Sequence, residues 1–183
     1  MIVLGVDPGL ANTGWGIVVD AGGSQRCLAY GCVSTTPKDD LAQRLKQIHN
    51  QIGAVIARYN PQEVSVESIF FGTNAKSAFA TGQARGVILL ATADAGLGLG
   101  EYSPVQIKKA IVGTGRAEKE QVQFMVKEVL RLDHTPKPDH AADALAAALC
   151  HLQLYSRKEL ERRIASEQQS GADKSERRAK ELS

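Results

Sequence analysis

Three acids sit where a folding chain does not casually leave a carboxylate. Asp7 ends an apolar run at the point where Pro8-Gly9 turns the chain. Glu67 lies in Val64-Ser65-Val66-Glu67-Ser68-Ile69, on the polar side of an alternating segment, and Asp143 lies one turn into the Ala- and Leu-rich segment after Pro138. A carboxylate withdrawn from water is costly unless a cation meets it. Taken singly, each has an ordinary explanation: Asp7 as a turn brace, Asp143 as an acid favoured at a helix start, Glu67 as the partner of an arginine. Taken together they suggest chemistry, because strand ends and a helix entry can converge in an α/β sheet. His140 and Asp139 precede Asp143 by three and four residues, so either can share its helical face, while Leu145, Leu149 and Leu152 occupy the opposite one. Carboxylates with one imidazole and no thiolate suit Mg²⁺ or Mn²⁺ better than Zn²⁺. Two such ions around a phosphate are the usual apparatus of phosphodiester hydrolysis.

The elements needed to position these groups can be read from periodicity. Met1–Asp7, Thr13–Asp20 and, after the turn AGGSQ, Cys27–Ser34 predict three strands in an antiparallel meander. Asp39-Asp40 then opens an amphipathic helix carrying Leu41, Leu45, Ile48, Ile52, Val55 and Ile56 through Tyr59, with Pro61 as its stop. A β-branched strand over Glu63–Ile69 follows. A helix over Ser77–Leu97 comes next, closed by Gly98-Leu99-Gly100, then a short strand over Glu101–Ser103. Helices over Pro104–Val112 and Ala117–Leu130 precede the segment with Asp143. This order predicts a mixed α/β sheet, an antiparallel N-terminal meander plus parallel strands, with helices on both faces.

Composition narrows the partners. Of 183 residues, 43% are hydrophobic, enough for one domain over residues 1–155. The formal net charge is +2, and residues 1–155 hold fourteen Lys and Arg against fourteen Asp and Glu, so any polyanion must be held by local patches. The charged segment 156–183 reads as a solvated helix fraying into a disordered tail, or else as a polyanion-binding extension. Cys27, Cys32 and Cys150 show no CxxC spacing and are expected as free thiols. With no apolar run of membrane-spanning length and no signal-peptide pattern, a cytoplasmic location without membrane attachment is expected.

The blocks GVDPGLANTGWGIV, VESIFFGTNAKSAFATGQARG, VQIKKAIVGTGRAEKEQV and DHAADALAAALCH, in this order and spacing, resemble the bacterial RuvC family of Holliday junction resolvases. The resemblance covers residues 1–153. It implies a ribonuclease H-like fold, a homodimer, and Mg²⁺-dependent paired nicking of four-way DNA junctions, with RuvA and RuvB as branch-migration partners. It places the catalytic, metal-binding positions on Asp7, Glu67, His140 and Asp143. Spacing alone leaves His140 and Asp139 both open as the helical partner of Asp143. The resemblance favours His140, and Asp139, just after Pro138, is then expected as a cap or first-turn acid occupied with backbone N–H groups.

Between Phe70 and Lys119 six Lys and Arg face three acids, a local surplus beside the candidate site. Lys108 and Lys119 match basic positions linked to catalysis in the family; Lys76, Arg85, Lys109 and Arg116 are further phosphate candidates. Phe70 and Phe71 cannot both point inward from one strand, and Phe70 matches the family's base-stacking aromatic. Trp15 is expected in the core, and His49, His134 and His151 at the surface or at helix ends. Three other readings are a nuclease on structured RNA, a non-catalytic junction-binding module, and, because DPGLANTG is similar to the phosphate-binding turn of actin-like ATPases, a nucleotide site. The last generally needs a second such domain.

Overall fold

The computed structural model describes residues 1–68 and 75–155, apart from the side chains of 75–77. The chain divides into a unit spanning Met1–His151 and a second spanning Leu152–Ser183, of which residues 152–155 are described, as helix. The expected tail from residue 156, and Phe70, lie outside the described residues.

In the first unit, β1 (Ile2–Asp7), β2 (Asn12–Ala21) and β3 (Ser24–Ser34) form the expected meander. The β2–β3 turn is tighter than the run AGGSQ suggests. Gly22 and Gly23 both adopt positive φ, 66° and 89°, and Asp20 Oδ1 accepts the Gly23 N–H at 2.8 Å, so pairing resumes at Ser24. Helix α1 (Leu41–Tyr59) begins where Asp40 accepts the Gln43 N–H and ends at Asn60 in the left-handed conformation. Strand β4 (Glu63–Glu67), α2 (Ala75–Asp94), β5 (Gly98–Tyr102), α3 (Pro104–Val112) and α4 (Lys119–Leu130) follow. A last helix of this unit, α5, covers residues 139–151.

The sheet order is β3-β2-β1-β4-β5, antiparallel through the meander and parallel from β1 through β4 to β5. This is the ribonuclease H-like mixed sheet that the resemblance implies. On one face Leu4, Val6, Ile17, Val64 and Val66 pack against Ile48, Ile52 and Val55 of α1 and Ala84, Ile88 and Ala91 of α2. Trp15 joins this cluster from its margin, its ring 6.1 Å from that of Tyr59. On the other face lies α5, buried over Ala141–Ala142 and again from Ala144 to His151.

That second face is packed by backbone rather than by the leucines alone. A methyl group on Gly5 would lie 1.9 Å from the Ala144 carbonyl oxygen, and one on Gly14 would lie 1.9 Å from that of His140. Ser65 Oγ donates to the Ala147 carbonyl at 2.7 Å from within the core. Leu145 over Gly16 and His151 over Gly100 bring large side chains into this approach.

Two sequence readings need correction. Gly98-Leu99-Gly100 does not close α2; the helix ends at Asp94, with Gly96 at φ 66°, and these residues begin β5. Gly98 and Gly100 disguise a strand because the Glu63 carboxylate and the His151 ring occupy the space their side chains would need. His151 is not at the surface: it is 4% exposed, and its Nδ1 lies 3.1 Å from the Tyr102 hydroxyl.

Candidate metal centre

Parallel pairing of β1 with β4 sets Val6 opposite Val66, so the strands deliver the next residues, Asp7 and Glu67, at adjacent carboxyl ends. Alternation gives Asp7 the same side as Gly5, and Glu67 the same side as Ser65, which is the side covered by α5. Across the other edge of β1, Asp7 pairs with Gly14, over which the His140 carbonyl lies. The absence of a side chain at Gly14 therefore seats the first turn of α5 beside Asp7. The helix start itself is set by Pro138, whose carbonyl accepts the Ala141 N–H at 2.9 Å.

Asp7, His140 and Asp143 each offer one ligand atom within 4.8 Å of the others. His140 Nδ1 donates to Asp7 Oδ2 at 2.7 Å, and Lys119 Nζ donates to Asp143 Oδ2 at 3.0 Å. Glu67 is not one of these three, although the charges of Asp7 and Asp143 act on its carboxyl. It lines a cleft of about 230 Å³ with Asp143, Lys108 and Lys119, backed by Pro104, Ile107, Val122 and Ala146.

The electrostatics are those of a crowded anionic site. Burial, with the charges of Asp7 and Asp143, pushes the Glu67 carboxyl up to about 7, against the opposing pull of Lys119 and Lys108. Asp143 is also raised, by burial first and by Asp7, although Lys119 draws it back. The hydrogen bond to Asp7 raises the His140 imidazole above its ordinary value. Burial works to lower Lys119, but its bond to Asp143 and the surrounding acids outweigh that, and the net shift is upward.

The remaining sequence candidates separate. Lys109 and Arg116 are exposed on and after α3. Arg85 on α2 is engaged in an ion pair with Glu101 of β5, so its charge is already answered within the chain. Lys76 belongs to the first turn of α2, its side chain outside the described residues, as is Phe70. Asp139 is a first-turn acid as expected, but its carboxylate meets Lys137 at 3.1 Å and Lys119 at 3.7 Å rather than capping backbone N–H groups. These lysine partners come from the preceding loop and from α4, and no local pattern announces them. Nor did the sequence reading single out the glycines at 5 and 14 or the alanines at 144 and 148. Their signal was present, as small residues on one side of two strands and on one helical stripe.

Comparison with known proteins bears on this geometry. The family described as "Crossover junction endodeoxyribonuclease RuvC" matches residues 3–151. Proteins with that description from Heliobacterium modesticaldum and Desulforamulus reducens are 51% and 47% identical over 150 and 156 residues, covering 82% and 85% of this chain and 93% and 96% of theirs. Thermus thermophilus RuvC, solved in complex with a Holliday junction substrate, superposes with a TM-score of 0.82 at 39% identity, covering 87% of this chain and 96% of its own. The yeast mitochondrial Holliday junction resolvase Ydc2 shares the fold, at a TM-score of 0.64 and 12% identity, over 90% of this chain and 85% of its own.

Proposed function

The chain belongs to the RuvC family, and from that premise we propose that it is a crossover junction endodeoxyribonuclease that resolves four-way DNA junctions by hydrolysing paired phosphodiesters. The observation that carries this reading is the convergence of Asp7, His140 and Asp143 beside a cleft that also holds Glu67, Lys108 and Lys119. Carboxylate oxygens with one imidazole fit Mg²⁺, with Mn²⁺ as a substitute, and two ions per site is the count suited to a scissile phosphate. Bound there, such ions would supply an activated water and charge stabilisation at the leaving oxygen.

The chain's own residues hold and orient. Asp7, Glu67, His140 and Asp143 form the ligand set, with Glu67 and His140 giving up any proton they carry. Lys108 and Lys119 meet the reacting phosphate from the walls of the cleft. Lys76, Lys109 and Arg116 take phosphates farther out, and Arg85 joins them only by leaving Glu101. Phe70 stacks on a base unpaired at the crossover.

A junction needs two nicks and each chain offers one such site, which supports a homodimer. Phe79 and Leu90, 69% and 54% exposed and eleven residues apart on one side of α2, supply apolar surface for it. RuvA and RuvB are the branch-migration partners that family membership implies. Among the described residues no helix is long and apolar enough to cross a membrane, and Cys27, Cys32 and Cys150 are free thiols, which supports a reducing, cytoplasmic setting. The test is a panel of four-way DNA, duplex DNA and structured RNA in Mg²⁺ and in EDTA, with both strands mapped. Symmetric nicks in the junction alone, abolished by EDTA, are expected; equal cutting of duplex or RNA would overturn the reading.

A further inference from the structure

We propose that Lys119 is the built-in counter-ion of Asp143, and that Asp139 is a positioning residue that receives the Lys119 ammonium when a divalent cation takes Asp143. The inference rests on the metal site proposed above. Lys119 Nζ lies 3.0 Å from Asp143 Oδ2 and 3.7 Å from Asp139 Oδ2. The two acids are four residues apart on α5, so their carboxylates share one face and the ammonium reaches both. Lys137 is bonded to the other oxygen of Asp139, Oδ1, at 3.1 Å. Asp139 thus faces Lys119 through Oδ2 and Lys137 through Oδ1.

The arrangement follows from where Lys119 begins. It is the first residue of α4, so its ammonium faces the positive end of its own helix and gains nothing from that dipole. What retains it is the pair of acids on α5. A Mg²⁺ ion bound to Asp143 at the roughly 2.1 Å usual for its oxygen contacts would stand beside an ammonium on the same carboxylate. Two cations at such range repel strongly in a half-buried site, so the lysine must yield. Its flexible stem and rotatable donors let it pivot to Asp139 without leaving the mouth of the cleft. Asp139 therefore keeps the displaced charge where a phosphate arrives.

Titration of the full-length protein with Mn²⁺, without DNA, tests this independently of cleavage. Lys119→Met is expected to tighten Mn²⁺ binding about fivefold, the scale of releasing one partly exposed ion pair. Asp139→Asn should weaken binding about threefold when Lys119 is present, and have almost no effect in the Lys119→Met background, since the coupling runs through the lysine. Equal weakening in both backgrounds would make Asp139 a remote charge and overturn its positioning role. Unchanged or weaker binding by Lys119→Met would overturn the counter-ion role. Lys119→Arg, whose planar fork grips a carboxylate in two places, should weaken Mn²⁺ binding, and it carries the test if Lys119→Met melts abnormally. An Asp7→Asn control separates the two readings: if it binds Mn²⁺ as the wild type does, the metal site itself has been misplaced.

Discussion

On one face of the sheet, Leu4, Val6, Val64 and Val66 meet branched side chains of α1 and α2; on the other, Gly5, Gly14 and Ser65 meet the backbone of α5. Branched side chains can repack, and the first face can absorb a change in one of them at a cost in stability. Backbone against backbone has no such slack. The second face therefore fixes the position of whatever α5 carries, and α5 carries His140 and Asp143 to the ends of β1 and β4. A fold that must hold acids against one another needs that rigidity on one side only.

The sharpest way to separate the faces is to remove one group from each. Asp7→Asn is expected to lower Mg²⁺-dependent cleavage at least about a thousandfold, the scale of losing an essential catalytic group, while gel-shift binding of a junction stays near normal. Ile52→Ala, in the other layer, should cost about 2–5 kcal/mol in a denaturant melt and leave cleavage per folded molecule intact. Near-normal cleavage by Asp7→Asn would remove that residue from the site.

A methyl group alone should make the next distinction. In Gly14→Ala the new carbon would collide with the His140 carbonyl, which cannot move without shifting the helix start. A loss of about 3 kcal/mol and a fall in activity of about a hundredfold are expected together, because a misplacement of about 1 Å is that costly to positioned groups. Gly53→Ala is the control. Gly53 lies inside α1 with open space around it, so the change should add about 0.5–1 kcal/mol and leave cleavage alone.

The contrast also explains what the sequence reveals and conceals. The meander, α1 and α3 are marked by local chemistry: alternation, Asp40 as a cap, Pro61 and Pro104 as punctuation. The acids of the site stand out because carboxylates at strand ends are out of place in a core. Gly98 and Gly100 hide β5 because the reason for them, the Glu63 carboxylate and the His151 ring, lies on other elements. Gly5 and Gly14 show only as small residues on one side of their strands, because what they meet, the backbone of α5, is equally distant in sequence. The lysines that occupy Asp139 and Asp143 come from outside α5, so no helical spacing could identify them. Local rules report what a residue prefers; the close approach of distant backbone must be seen.

At the junction between sheet and α5, the pairing of His140 with Asp7 makes pH the next probe. Holding a metal requires the imidazole without its extra proton, and Asp7 raises the pKa of that imidazole. Activity of the wild type should therefore fall on the acid side of a point above the ordinary histidine value of about 6.5. His140→Asp should retain much of the activity in Mg²⁺ and carry this limb to lower pH, whereas His140→Ala should lose most of it at every pH. An acid limb unmoved in His140→Asp would assign the titration to another group.

The smallest effect concerns stability without metal. Glu67 has its folded-state pKa raised to about 7 by burial and by its neighbouring acids, so folding takes up a proton at this site between its unfolded value and that point. Below about 4.5 the carboxyl is protonated in both states and costs nothing; as pH rises, the folded state alone resists ionisation and loses stability until the pH passes about 7. Glu67→Gln removes the charge and should stabilise the metal-free protein by about 1–3 kcal/mol at pH 8, with the gain vanishing toward pH 4.5. Saturating Mg²⁺ should reverse the order, raising the melting temperature of the wild type more than that of the variant, because only the wild type offers the cation this carboxylate. A gain that persists unchanged at low pH would mean that the variant improves packing. A gain at pH 8 that survives Mg²⁺ would mean that Glu67 is a buried acid of the α5 face and no part of the metal centre.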